Sequence, residues 1–310
     1  MPTLTDTTMG KRAKPLQEQV SLLMRRGMRI DDPERARVTL LEIGFYRMSF
    51  YWFPFETRWP DATSGVHRFR DGADFRDAFM LYAFDFKLRH LLLRPIERIE
   101  TAFRNYMIYH VSTRYPDSPA WFADRRVVTS AQASGFERAI YYPLKRNNAE
   151  IQLHHRRFPA DKFAPAWKTL EFVTLGTMCS LYEGLQDPGL KHEIAVNFGC
   201  MQQSVFSNYL EVLRDLRNIC AHGGVLYSYS PPQLRRTAGA HGRRRGGHSP
   251  VPRNLAGALE VICHLLGRVS EREVRELRSG IAGALSEFGA YRGTADVLRR
   301  ISGFDLGHAD

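Results

Sequence analysis

Lysine is scarce in this 310-residue sequence, seven against 37 arginines. Cysteine is scarcer. Cys179, Cys200, Cys220 and Cys263 are scattered, with no C-x-x-C and no paired spacing. That excludes a structural zinc framework and a disulfide scaffold, and it fits a reducing compartment. Long apolar runs are also missing. The patch at Leu91 to Leu93 is flanked closely by Arg and His, so no segment is expected to span a membrane. The opening MPTLTDTTMGKRAK lacks the apolar stretch of a secretory signal, and the expected location is the cytoplasm. No phosphate-binding glycine loop, nucleophile elbow or dinucleotide fingerprint occurs. His154-His155 has no Cys or carboxylate at ligand spacing and reads as solvated or RNA-facing. His192-Glu193 opens an H-E-x-x-H whose second His never arrives. No metal and no cofactor are expected.

What is present is positive charge, +11 with a pI near 9.7. A surplus of planar, permanently charged guanidinium suits bidentate contact with phosphates. About half of the surplus sits in SPPQLRRTAGAHGRRRGGHSPVPR, residues 230–253, which holds six Arg and no acid. Its Gly and Pro content forbids a helix. Arg235, Arg236, Arg243, Arg244 and Arg245 are therefore candidate RNA contacts on a mobile basic loop; the competing reading is an insertion without a role.

Hydrophobic residues, 44% of the chain, recur at helical spacing. Residues 15–26 form one expected helix, stopped by Gly27. Asp32 followed by Pro33 starts a second, ending near Gly44. FYRMSFYWFPF (45–55) is either a core strip that docks these helices or a stacking surface for bases. Residues 56–73 read as a loop or linker. From Phe75 to His110, Leu81, Phe84, Leu88, Leu92, Ile96, Ile99, Phe103 and Met107 recur every three or four positions. Pro95 is expected to kink or split this helix, and Glu100 with Arg104, four apart, supports it. Further helices are expected near 130–149, 164–186, 189–198, 202–222 and 254–290. No alternating strand pattern and no repeat appears. The class is all-α, with an N-terminal helical module (1–62) carrying the aromatic strip and a larger helical part (73–305).

RDLRNICAHGG, residues 214–224, ends a helical pattern with Arg217, Asn218 and His222 at its tip. RNA cleaved through its own 2′-hydroxyl needs a proton carrier and a cation facing the phosphorus; histidine and arginine supply these. The end of a helix is also where an imidazolium is favourably placed. The spacing alone is weak, because chance gives roughly four such Arg/His pairs in this composition. Five occur: Arg104/His110, Arg217/His222, Arg235/His241, Arg236/His241 and Arg243/His248. Only Arg104 and Arg217 lie in helical context with Asn next.

LRNICAHGGVLY resembles the signature LRNxCAHHxRLWN of the abortive-infection (Abi) family, AbiD/AbiF type. EQVSLLMRRGMRIDDPERARVTLLEIGFYRMSFYWFPF, FDFKLRHLLLRPIERIETAFRNYMIYHVS and PAWKTLEFVTLGTMCSLYEGL resemble, in order, its N-terminal region, central helix and E-x-x-x-FGxLSxxY helix. The likeness covers most of residues 15–229. It implies a HEPN-superfamily helical bundle for the larger part, with the 1–62 module as an extension. It implies a bacterial anti-phage protein, a metal-independent endoribonuclease toxin that is usually dimeric and can have an antitoxin. On that resemblance Arg217 and His222 are the catalytic pair and Asn218 the polar residue beside them. Glu171 matches the family's helix glutamate, holding the Arg or capping a helix. Arg104 and His110 are supporting candidates, or else an exposed Arg paired with Glu100 and a His satisfied at a helix end.

Five residues place Arg217 and His222 about 140° apart on an ideal helix. Either the last turn unwinds at Gly223-Gly224, or two copies each supply half of a shared cleft. Two departures from the family stand out: Gly223 replaces the usual second His, and Val225-Leu226-Tyr227-Ser228 replaces R-L-W-N. These favour the alternative of a binding module that holds a small non-coding RNA uncut.

Overall fold

The computed structural model describes residues 13–61, 63, 67–232, 234 and 252–306. Regular structure among them is helical, and β pairing is confined to isolated bridges. In chain order the helices are α1 (Leu16–Arg25), α2 (Pro33–Ile43), α3 (Phe45–Trp52), α4 (Phe75–Arg114), α5 (Ser130–Phe136), α6 (Tyr142–Asn147), α7 (Ala149–Arg157), α8 (Ala166–Thr169), α9 (Leu175–Gly184), α10 (Pro188–Asn197), α11 (Gln203–Ala221), α12 (Leu255–Gly267), α13 (Glu271–Gly289) and α14 (Arg292–Val297). The described residues form two compact units: those up to Lys87 with those from Ala284 onward, and Leu88–Gly283.

In the first unit the local signals act as expected. The Asp32 carboxylate accepts from the Arg35 N–H at 2.9 Å, with Pro33 in the first turn of α2. Gly27 takes φ +97°, and the Met28 N–H returns to the Leu23 carbonyl at 3.1 Å, closing α1. Residues 67–73 form a loop, as expected, but one pinned in place. Phe69 N–H donates to the Arg26 carbonyl, Arg70 N–H to Phe55, and Arg29 N–H to Ala73, all within 2.8–2.9 Å. Those bonds fold the segment back onto the N-terminal helices, so the chain divides inside α4 and not at this Pro/Gly-rich stretch. The aromatic strip splits by helical face: Met48, Tyr51 and Trp52 are buried, while Tyr46 and Phe50 are exposed. The C-terminal piece is tied in by Asp77, whose carbonyl accepts from the Thr294 hydroxyl at 2.9 Å, and by Phe84 stacked edge-on to Phe288 and Phe304.

The second unit holds the α11 tip. Leu88, Leu92, Ile96, Ile99, Phe103, Met107 and Val111 of α4 are all buried. Pro95 does not split α4, which runs unbroken for 40 residues. A mid-helix proline costs about 3 kcal/mol; burying even two such side chains on either side offsets that at roughly 2 kcal/mol each. The expected 164–186 helix is instead interrupted. Val173 is extended, and the Thr174 hydroxyl restarts the chain as the N-cap of α9 by accepting from Thr177 N–H at 3.2 Å. An aromatic knot fixes the register of α4 against its neighbours. Phe103 packs edge-on to Tyr182, Phe198 and Phe206, and Phe198 stacks on Phe206 at 5.1 Å.

Candidate functional site

Helix α11 is amphipathic because Val205, Phe206, Tyr209, Leu213, Leu216 and Cys220 recur on one face and are buried. Its other face is polar. The helix stays regular through Ala221; His222 follows at φ −100°, ψ 10°, and Gly223 turns the chain at φ +64°. Gly224 N–H then donates to the Ile219 carbonyl at 2.8 Å, closing a Schellman turn. Gly223 thus sits in the left-handed region that glycine tolerates. The turn does not unwind before His222, so the two side chains stay on different faces of their own helix. Leu226 and Tyr227 behind the turn are buried, Ser228 exposed.

Asn218 and His222 face solvent, and neither side chain has a hydrogen-bond partner among the described residues. Arg217 is 35% exposed, and its Nε lies 3.8 Å from Glu100 Oε2 on α4. That is an ion pair beyond hydrogen-bonding distance, so the guanidinium is held loosely and keeps its donors. Glu100 Oε1 meanwhile accepts from Arg104 Nη2 at 2.9 Å. The two arginines that the sequence left as rivals therefore share one carboxylate. One negative charge faces two positive ones, which leaves net positive potential on the more exposed partner, Arg217.

Arg104 is buried, contrary to the exposed pairing expected for it. Its Nη1 donates to the carbonyls of Leu170 and, at 2.9 Å, Val173, the chain reversal ahead of α9. His110 lies elsewhere. Six residues rotate it about 120° from Arg104, and its Nε2 bonds the Asn197 side chain of α10 at 2.8 Å, with Glu193 3.8 Å from Nδ1. Arg104 and His110 do not form a pair. Glu171 is exposed in the short 170–172 turn with no partner among the described residues. The role of holding an arginine falls to Glu100, not to Glu171.

Sequence reasoning also missed Arg89. It is buried, and its Nη1 donates to the Gly224 carbonyl at 2.9 Å. Glu100 against Arg217 and Arg89 against Gly224 run α4 and α11 antiparallel, and together they locate the tip of α11. The only sequence signal for Arg89 was a charge beside the apolar α4 stripe.

His154 is not solvated, and both it and His155 have partners. His154 is buried with Nε2 3.1 Å from Asp161, and His155 Nε2 lies 2.8 Å from the Tyr141 hydroxyl. Burial and the neighbouring Lys145 and His154 push the His155 pKa down. Burial lifts the Cys179 and Cys200 thiols to about 12, so they are poor nucleophiles. Arg235, Arg236, Arg243, Arg244 and Arg245 lie outside the described residues. Among the described residues no group of three or more His, Cys, Asp or Glu could hold a metal ion, and no helix is long and apolar enough to cross a membrane.

The family model described as Abi-like protein matches residues 38–228, more than half of the chain. The chain belongs to the Abi-like protein family. The matched span holds α11 whole, with Arg217, Asn218 and His222, and also Arg89, Glu100 and Arg104. Membership suggests a place in abortive-infection defence. No curated protein and no solved structure matches the chain.

Proposed function

We propose that the tip of α11 is the centre of a metal-independent endoribonuclease of the HEPN type, acting in abortive infection and completed by a second copy of the chain. One observation carries this reading: an unpartnered, exposed imidazole and a loosely tethered guanidinium lie five residues apart at the tip of one helix. The RNA 2′-oxygen attacks phosphorus and its proton is taken up. The P–O5′ bond breaks, and O5′ leaves with a proton, giving a 2′,3′-cyclic phosphate and a 5′-hydroxyl. His222 moves the protons, and the exposed Arg217 donors meet the charge on the phosphorane. Asn218, between them on the exposed face, orients the substrate. Their angular separation on one helix is the reason for a homodimer: a copy facing each tip brings an arginine and a histidine to one phosphate.

RNA cleavage is expected to persist in EDTA and to disappear in Arg217→Ala and His222→Ala proteins that keep their helical circular dichroism. Cleavage that EDTA abolishes, or full activity in both variants, rejects the reading. Gly223 and the 225–228 segment favour a second one, an RNA held uncut at the same surface. Intact, stoichiometric RNA co-purifying with the protein supports it; short fragments ending in cyclic phosphate support the nuclease.

A further inference from the structure

A cavity of about 670 Å³ opens in the second unit beside α11, starting one turn before Arg217. Glu183 of α9, Lys191 of α10 and Ser207, Asn208, Glu211 and Arg214 of α11 line it. Its two cations already have partners. Lys191 Nζ donates to the Glu183 carbonyl at 2.6 Å, and Arg214 Nη2 to the Asp215 carboxylate at 3.3 Å. The carboxylates of Glu183 and Glu211 have none among the described residues. Free carboxylate acceptors favour a guest that presents N–H donors to them.

Position says what that guest belongs to. Ser207, Glu211, Arg214, Asn218 and His222 fall within about 80° of one another around α11, forming one polar face. From Arg214 to His222 is about 12 Å along the axis, and from Glu211 about 16 Å. A strand whose reacting phosphate lies at His222 reaches the cavity within a few nucleotides. Single-stranded RNA is read by splaying out a base and bonding its Watson–Crick edge.

We propose that this cavity is a guanine-reading subsite, with Glu211 accepting from the base and Arg214 facing the adjoining phosphate. Guanine presents two neighbouring donors, N1–H and the N2 amine, that match the two oxygens of one carboxylate. Uracil offers a single N–H flanked by two carbonyl oxygens that repel the carboxylate, and adenine and cytosine each offer one amine beside an unprotonated ring nitrogen. The inference rests on the RNA reading of the α11 tip.

The test uses the full chain and 2′-O-methyl oligouridine pentamers, which lack the attacking hydroxyl. A single G, inosine, A or C is placed at each position in turn, and binding is followed by fluorescence anisotropy. At one position G should bind about tenfold tighter than U, inosine should fall between because it lacks the N2 amine, and Glu211→Gln should erase the difference. Equal binding of all pentamers, with RNA still bound or cleaved, overturns the guanine subsite and leaves the nuclease reading standing. A preference for G that survives Glu211→Gln overturns the assignment of the residue, and inosine equal to G overturns the two-donor match without any variant. Failure to bind or cleave any RNA overturns both proposals.

Discussion

Replacing Glu100 by Gln removes the charge shared by Arg104 and Arg217 while keeping the shape and one acceptor. At an effective dielectric near 20, a unit pair at 2.9 Å attracts by about 6 kcal/mol and one at 3.8 Å by about 4 kcal/mol. Desolvation cancels most of this. Arg104 keeps the carbonyls of Leu170 and Val173, so the net loss of stability should be about 2–3 kcal/mol. That is a fall of roughly 5–10 °C in Tm for a unit of this size. The Arg217 contact is longer and 35% exposed, so its share should be only about 0.5–1 kcal/mol. Urea unfolding of Glu100→Gln, Arg217→Ala, Arg104→Ala and the two doubles with Glu100→Gln separates these shares. The coupling between Glu100 and Arg104 should exceed that between Glu100 and Arg217 severalfold. EDTA-resistant RNA cleavage by Glu100→Gln should fall about tenfold as Arg217 loses its anchor. A stability loss under about 0.5 kcal/mol, or strictly additive doubles, would refute the shared-carboxylate account.

Two further outcomes follow from the same geometry. Gly223→Ala forces a Cβ into a φ of +64° and should cost about 1–2 kcal/mol, measured by urea unfolding; no loss would mean that the turn relaxes. His155 has a lowered pKa in the folded protein, so as pH falls below the ordinary imidazole value of about 6.5 the unfolded state takes up a proton first. Tm should therefore drop over that interval, and His155→Gln should flatten the drop. A Tm profile identical to the unaltered protein's would show that another group is responsible.

Much of the architecture was legible before any coordinates. Asp32-Pro33 and Gly27 set helix ends through bonds to residues three to five positions away, and the α4 stripe is a period of 3.6 read directly. The exposed tip carrying Arg217, Asn218 and His222 was visible too, since a polar face and a double glycine say where a helix surfaces and stops. The split at Pro95 did not occur because a local penalty was outweighed by burial along α4. The 67–73 segment is the loop its composition suggests, but that its backbone finds partners around the N-terminal helices is something composition does not disclose.

The sequence by itself determined the all-α class, the helix that carries the motif and the residue types at its tip, because hydrogen bonds within a helix and the period of its apolar face are local. Only the tertiary structure decided that Arg104 is a buried clamp on the Leu170 and Val173 carbonyls, that His110 bonds Asn197 of α10, and that Glu100 and Arg89 hold the α11 tip. Those contacts join residues as far as 135 positions apart. Charge complementarity can name many partners for each arginine; the packing of α4 against α11 brings one within reach.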